Sequence, residues 1–355
     1  MKKRVLALVL AAVMSIGMLA GCTSKNDGVK KLKLTDDGTV LNVYVWNDEF
    51  LTRVVDLYPG YTKISDTEGK IGNVKVNWVI NANEGSNYQD KLDAALMAQE
   101  TASANDKVDI FLVEADYAIK YVDNNNSVAL SELGITDKDL AQQFQYTKDV
   151  MTDSNGKIKG SSWQGCPAGL IYNREIAKDV LGTDDPAKVQ EAVSTWDKFL
   201  ATAEKVKAKG YNMCASVDDT YRVFSNNVTS KWVTNKGELN IDKNIEKWVE
   251  LSKTMADKKY ANTYDLWGTD WSQGFYPQGK VFCYFGPAWF IDFCMNASDA
   301  ESIAANGGWG LCVGPQAFFW GGTWICVANG TDNFSLAKDI VLKMTTDKDI
   351  MTKIC

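Results

Sequence analysis

The sequence predicts an α/β protein folded as two lobes. Three observations carry this. Apolar, β-branched runs alternate with amphipathic helical stretches, as in βαβ units. Residues 38–355 are too many for one compact core at roughly 150 residues per domain. The alternating pattern also changes character near residue 124.

The elements follow in order. Thr39–Val45 alternates and reads as a first strand. Trp46-Asn47-Asp48-Glu49 comes next, then Phe50, Val54 and Leu57 at helical spacing, with Asn47 or Asp48 as cap. Val74–Ile80 is a second strand. Ser86 opens a helix with Leu92, Ala95 and Leu96 on its apolar face. Asp109–Val113 is continuously apolar, as a strand covered on both faces should be. Beyond residue 124, Ala168–Tyr172 reads as a strand running into a helix from Glu175. Ser194 and Asp197 make a capping box for a helix striped by Phe199, Leu200, Ala203 and Val206 and ended by Gly210. Lys243–Met255 is a further helix. Val281–Phe285, Gly310–Val313 and Thr323–Ala328 are strands, and Leu336–Met344 with Lys348–Ile354 form a closing helix pair.

The N-terminus decides where the protein works. Lys2, Lys3 and Arg4 precede an apolar run, Val5–Ala20, that is short for a spanning helix and has the layout of an export signal. It ends in Leu19-Ala20-Gly21-Cys22, which resembles the bacterial lipobox, where cleavage before the cysteine leaves its thiol to carry lipid. Thr23–Asp37 is polar, lysine-rich and aperiodic, and reads as a flexible tether. The expected location is the outer face of the bacterial cytoplasmic membrane, with the lipid on Cys22 as the sole membrane attachment.

Composition excludes several chemistries. The chain has no histidine, which removes Ser-His-Asp and Cys-His catalysis and histidine-ligated metals. Net charge is −7; loss of Lys2, Lys3 and Arg4 with the signal makes the mature chain more acidic, the wrong sign for a nucleic-acid partner. No P-loop, GxGxxG or CxxC occurs. Asp123-Asn124-Asn125-Asn126-Ser127 lacks the glycine and glutamate spacing of a calcium loop. No metal or cofactor is expected. Apart from Cys22, cysteines within apolar runs read as small buried residues, with one or two disulfides as the alternative.

Twelve tryptophans are the positive signal. Trp78, Trp196, Trp248 and Trp309 lie within elements and read as core, and Trp232 and Trp324 lean the same way. Trp46 follows a strand end, where ligands collect in open α/β sheets. Trp163 lies between Gly160 and Gly165, Trp289 follows Gly286-Pro287, and Trp320 precedes Gly321-Gly322; these are expected to contact ligand. Trp267 and Trp271 are balanced between ligand and core. A pyranose presents a C–H face that packs on an aromatic plane, and burying ~50 Å² of it is worth about 1 kcal/mol. Carboxylates and amides beside such rings bind the hydroxyls at roughly 1.5–3 kcal/mol per bond to a charged group.

In order along the chain, these motifs resemble the family 1 extracellular solute-binding proteins, the group that contains maltose-binding protein. Asn42–Glu49 is similar to that family's opening strand and ligand loop. Asp109-Ile110-Phe111 running to Asp116-Tyr117 is similar to its ligand-binding aspartate loop. Trp163-Gln164 and Gly169–Arg174 resemble the entry to the second lobe. Asp218-Asp219-Thr220-Tyr221 resembles a polar-aromatic ligand loop, Phe285–Trp289 the Gly-Pro-aromatic motif, and Trp320-Gly321-Gly322 the return. The resemblance implies a two-lobe periplasmic-binding-protein-like fold of type II. It implies a signal over residues 1–21, a lipidated tether over 22–37, lobes over 38–123 and 124–318, and a return to the first lobe over 319–355. The family continues past the last residue here, so an incomplete C-terminus is expected. The implied function is non-enzymatic: a monomer that traps a carbohydrate, expected to be an oligosaccharide, through lobe closure and delivers it to ABC permease subunits. The ligand residues carried over are Trp46, Asn47, Asp48, Asp116, Tyr117, Trp163, Gln164, Asp219, Tyr221, Trp267, Trp289 and Trp320. Three alternatives stand beside this: a receptor for peptides, amino acids or cations, a glycoside hydrolase using Asp48 and Asp116, and an adhesin.

Overall fold

A computed structural model describes residues 29–354, which fall into two compact units. One runs to Gln164 and resumes at Thr323; the other is Gly165–Gly322. The expected signal and Cys22 lie outside the described residues. Among the described residues, no helix is long and apolar enough to cross a membrane.

The first unit is built on a seven-stranded sheet, in the order Tyr61–Lys63, Glu68–Ile71, Val74–Ile80, Val40–Val45, Ile110–Glu114, Thr323–Val327, Ser161–Ser162. Its middle is parallel: Val40–Val45 pairs in parallel with Val74–Ile80 and with Ile110–Glu114. Side chains alternate across a strand, so each central strand supplies two cores. Leu41, Val43, Ile110, Leu112, Ile325 and Val327 join Phe50, Val54, Ile340 and Val341 on one face. Phe111, Val113, Trp324 and Cys326 join Tyr88, Leu92, Leu96 and Tyr121 on the other. Coverage on both faces is why Asp109–Val113 reads as a continuous apolar run.

Just before the central strand Ile110–Glu114, the buried Asp109 carboxylate accepts the Asn42 amide at 2.8 Å and the Asn333 side-chain amide at 3.2 Å. Burial outweighs these bonds and pushes its pKa up to about 6.

Two expectations change here. The unit boundary falls at Gln164, not at 123. Val128, Leu130, Leu133, Ile135 and Leu140 lie in irregular chain, a turn and the short 3-10 helix Leu130–Leu133, without a sustained helical or strand period, yet they fill the first unit's core. Likewise the second unit runs on through Gly322 rather than ending at 318, because Phe318–Phe319 pairs with Pro167 and Ala168. The tether is also shorter than its composition suggests. The Leu32 amide bonds Asn329 Oδ1 at 2.9 Å, Thr35 bonds Thr331 through the backbone at 3.1 Å, and the Asp36 carboxylate accepts the Ser335 amide at 2.6 Å. Leu34 packs against the first core.

The second unit's sheet runs Trp309–Cys312, Pro167–Asn173, Val281–Pro287, Asn212–Cys214, with Phe318–Phe319 pairing beside Trp309–Cys312 on Pro167–Asn173. Val281–Pro287 is buried at every position. Its neighbouring rings face opposite ways: Phe285 meets Trp196 and Phe199 of the helix Trp196–Ala208, whereas Tyr284 meets Trp271, Phe275 and Phe290. That helix is capped by Thr195, whose hydroxyl accepts the Lys198 amide at 3.2 Å, so the cap sits one residue after the expected Ser194. Trp324 is fully buried, as expected, but Trp232 is 48% exposed, on a short hairpin closed by the Val233–Leu239 bridge. The six described cysteines are free thiols; Cys166, Cys214, Cys283 and Cys326 are buried.

Candidate functional site

Each unit carries its own wall of aromatic and polar groups. In the first unit it lies where the parallel strands Val40–Val45 and Ile110–Glu114 end, in the segments 46–49 and 115–117. The Trp46 ring meets Tyr88 edge-on at 5.4 Å and Tyr117 at 6.1 Å. Tyr88 is fixed beneath by its hydroxyl, which donates to the Leu112 carbonyl at 2.7 Å. The Tyr117 hydroxyl is buried with no protein partner, a polar group left for a ligand or water. Asp48 and Asp116 are exposed beside these rings in sequence, and Glu114 accepts the Asp116 amide at 2.7 Å. Asn47 is spent locally, accepting the Glu49 amide at 3.2 Å.

Gln164 joins this wall through Glu49, whose carboxylate accepts its side-chain amide at 2.9 Å. Burial raises the Glu49 pKa, against the lowering influence of Arg53 and Gln164. Trp163 does not join the surface. It is 2% exposed and packs on Phe50 at 5.7 Å, so the expected ligand contact is replaced by a core role. A tryptophan between glycines marks a loop, but here the loop folds its ring inward.

The second unit's wall is denser. Trp267 lies nearly parallel to Trp289, with planes 20° apart and centroids at 6.5 Å. Trp320 meets Trp289 at 5.5 Å and Trp267 at 5.6 Å, and Phe290 lies at 5.9 Å from Trp320. The Trp289 indole donates to the Trp320 carbonyl at 3.2 Å. Arg222 stacks over the Trp320 ring at 5.3 Å. Trp320 is only 8% exposed, so Trp267 and Trp289 form the accessible face and Trp320 backs it.

Trp267 is unusual twice over. It is 57% exposed, and its φ of 70° puts a bulky residue in the left-handed region. That conformation costs about 1–2 kcal/mol for an L-residue. Strain of this kind persists where the surroundings impose it, most often at binding sites. Tyr221 packs on Trp248 at 4.9 Å and is half-buried. Asp219 lies beneath the wall, 6% exposed, with its oxygens on the Trp271 indole and the Ser216 amide.

A family model described as bacterial extracellular solute-binding protein matches residues 64–355, most of the chain. The chain belongs to that family. No curated protein matches it in sequence. Among solved structures, an extracellular solute-binding protein of family 1 is 16% identical, with a TM-score of 0.69 over 89% of this chain and 77% of that one. The sugar-binding protein MalE of Xanthomonas citri is 12% identical, with a TM-score of 0.66 over 89% and 77%. The galacto-N-biose-/lacto-N-biose I-binding protein of Bifidobacterium longum, solved with lacto-N-biose, is 14% identical, with a TM-score of 0.63 over 90% and 78%. These likenesses establish the two-lobe α/β fold of the periplasmic binding proteins.

Within this family fold, the residues foreseen from sequence separate cleanly. Trp46, Asn47, Asp48, Asp116, Tyr117, Trp163 and Gln164 belong to the first unit. Asp219, Tyr221, Trp267, Trp289 and Trp320 belong to the second. Tyr88, Glu49, Phe290 and Arg222 were missed. Tyr88 lies four residues before Leu92 on the helical stripe, and Glu49 and Arg222 adjoin predicted residues, so each had a sequence signal. Trp271, balanced between ligand and core, is 2% exposed and is core.

Proposed function

We propose that the chain is the substrate-capturing lipoprotein of an ABC importer, lipidated at Cys22, and that its ligand is a carbohydrate. The observation that carries the ligand class is the exposed, left-handed Trp267 set parallel to Trp289. Two flat apolar faces held this way suit the C–H face of a sugar ring, and each stack is worth about 1 kcal/mol. Trp46, Asp48, Asp116 and Tyr117 of the first unit are proposed as further contacts, the carboxylates accepting sugar hydroxyls. The relatives solved with beta-1,6-galactobiose, with acarbose and with lacto-N-biose support the same class. Permease subunits are the proposed partners, and no chemistry on the ligand is proposed.

The test is a thermal-shift panel of mono- and oligosaccharides, with polyamines and short peptides beside them. A sugar at a hundredfold excess over its Kd adds about 2.7 kcal/mol. A shift with one sugar class that is lost in Trp289→Ala supports the reading. A shift with cations alone, held by Asp48 and Asp116, replaces it with a cation receptor. Hydrolysis of a bound oligosaccharide turns it into an enzyme.

A further inference from the structure

Asp219 stands where sequence places a ligand contact, yet it does not face solvent. Its Oδ1 accepts the Trp271 indole N–H at 2.7 Å, and its Oδ2 accepts the Ser216 amide at 2.7 Å. The Ser216 hydroxyl accepts the Asp218 amide at 3.2 Å, which closes a capping box over the turn Val217–Thr220. Trp271 is held at its other end by Tyr284, whose hydroxyl donates to the Trp271 carbonyl at 3.0 Å. Held at its indole N–H and at its backbone, Trp271 meets Trp267 ring to ring at 5.4 Å and Phe290 at 5.8 Å. These are rings of the second unit's wall.

We propose that Asp219 is the positioning residue of this wall, holding Trp271 so that Trp271 in turn sets the strained Trp267. It acts through Trp271 rather than by touching ligand. The inference rests on the proposed binding role of Trp267, but the bond itself can be tested without any ligand.

The chemistry makes this brace sensitive to protons. An ionised carboxylate accepts at both oxygens, as Trp271 and Ser216 require. Protonation turns one oxygen into a donor facing N–H groups and breaks the match. The surrounding groups leave Asp219 close to that point. Burial, the largest influence, raises its pKa to about 7, and Asp218 on the same turn adds to it. Asp218 in turn feels Asp265. The strand neighbours Tyr284 and Cys214 are neutral at this pH, because burial raises the pKa of the hydroxyl and of the thiol. The buried positions of the helix Lys243–Asp257 are Ile245, Leu251 and Met255, all apolar. On the helix Tyr221–Ser225, the cation Arg222 lies over Trp320.

The experiment is a tryptophan fluorescence titration of the unliganded protein from pH 5.5 to 8.5, on wild type, Asp219→Asn and Trp271→Phe. The wild type is expected to show one step near pH 7, and both variants to lose it. Asp219→Asn cannot titrate, and Trp271→Phe keeps the ring but removes the indole N–H. If Asp219→Asn does not fold, Trp271→Phe decides alone. With the saccharide found in the panel, both variants are expected to bind about tenfold more weakly. A flat wild-type titration, or a step of wild-type size persisting in either variant, overturns the proposal. If no sugar binds the wild type, the binding role fails while the fluorescence result still decides the brace.

Discussion

Lowering pH from 7.5 to 5 should stabilise this protein, the opposite of ordinary acid denaturation. Asp109 and Asp219 are buried carboxyls whose pKa values stand at about 6 and about 7, against 3.8 for a free aspartate. A carboxyl with a raised folded-state pKa holds its proton more tightly folded than unfolded. Its stabilising effect is complete below the unfolded value and is lost as pH rises through the folded one. For Asp109 the window is pH 3.8 to about 6, and for Asp219 it is 3.8 to about 7. At about 1.4 kcal/mol per tenfold change in proton affinity, Asp109 contributes about 1.4 kcal/mol by pH 5, one unit below its folded value, and its full effect of about 3 kcal/mol only below pH 3.8. In a unit of this size the change from pH 7.5 to 5 is about 3–6 °C in melting midpoint. Glu49 and Asp218 are raised as well and act in the same direction. Asp242 is held well below the usual carboxylate range by the Asn244 and Thr229 amides, so its stabilisation is lost only in stronger acid. The assay is calorimetry at half-unit pH steps on wild type and Asp109→Asn. A midpoint that stays flat or rises from pH 5 to 7.5, or a variant with the wild-type slope, refutes the argument.

Three further outcomes follow from packing and capping. Thr195→Ala removes the cap of the helix Trp196–Ala208 and should cost about 1 kcal/mol, read as a lower midpoint in urea. Gly310→Ala would bring a Cβ to 2.3 Å from the buried Tyr172 ring. Overpacking of this kind costs about 1–3 kcal/mol, and the same denaturation curve measures it. Deleting residues 29–36 removes the Leu34 packing and the bonds to Asn329, Thr331 and Ser335, and should lower the melting midpoint of the first unit. An unchanged midpoint would make that segment a plain linker.

Much of the fold was legible where one periodicity ruled a segment. Val74–Ile80 and Lys348–Ile354 stand at the expected bounds, because β-branched alternation and helical spacing are local properties. The strands Tyr61–Lys63 and Glu68–Ile71 were missed. Both are polar strands at one side of the sheet, Tyr61–Lys63 at its edge and Glu68–Ile71 next to it, and pairing rather than composition makes them extended. The unit boundary was misplaced because the apolar residues from Val128 to Leu140 follow no period. Within the site, tryptophans in glycine-rich loops were readable, but their depth was not. Trp163 and Trp267 carry the same loop signal, yet one is 2% and the other 57% exposed. That difference comes from what the loop folds against: Phe50 for one, and a frame of Trp271, Trp289 and Trp320 for the other.

The docking of residues 30–36 onto 329–335 alters how far such a protein can roam. If lipid is carried at Cys22, the docked stretch begins at most about 29 Å of chain away from it, whatever course that chain takes. An attachment that close would confine the body to a thin layer over the bilayer. Encounters with a membrane-embedded partner are then governed by effective concentration rather than by diffusion from bulk, and that concentration rises as the leash shortens toward the span it must reach. With lipid at Cys22, the bonds from Leu32, Thr35 and Asp36 would set the radius of search.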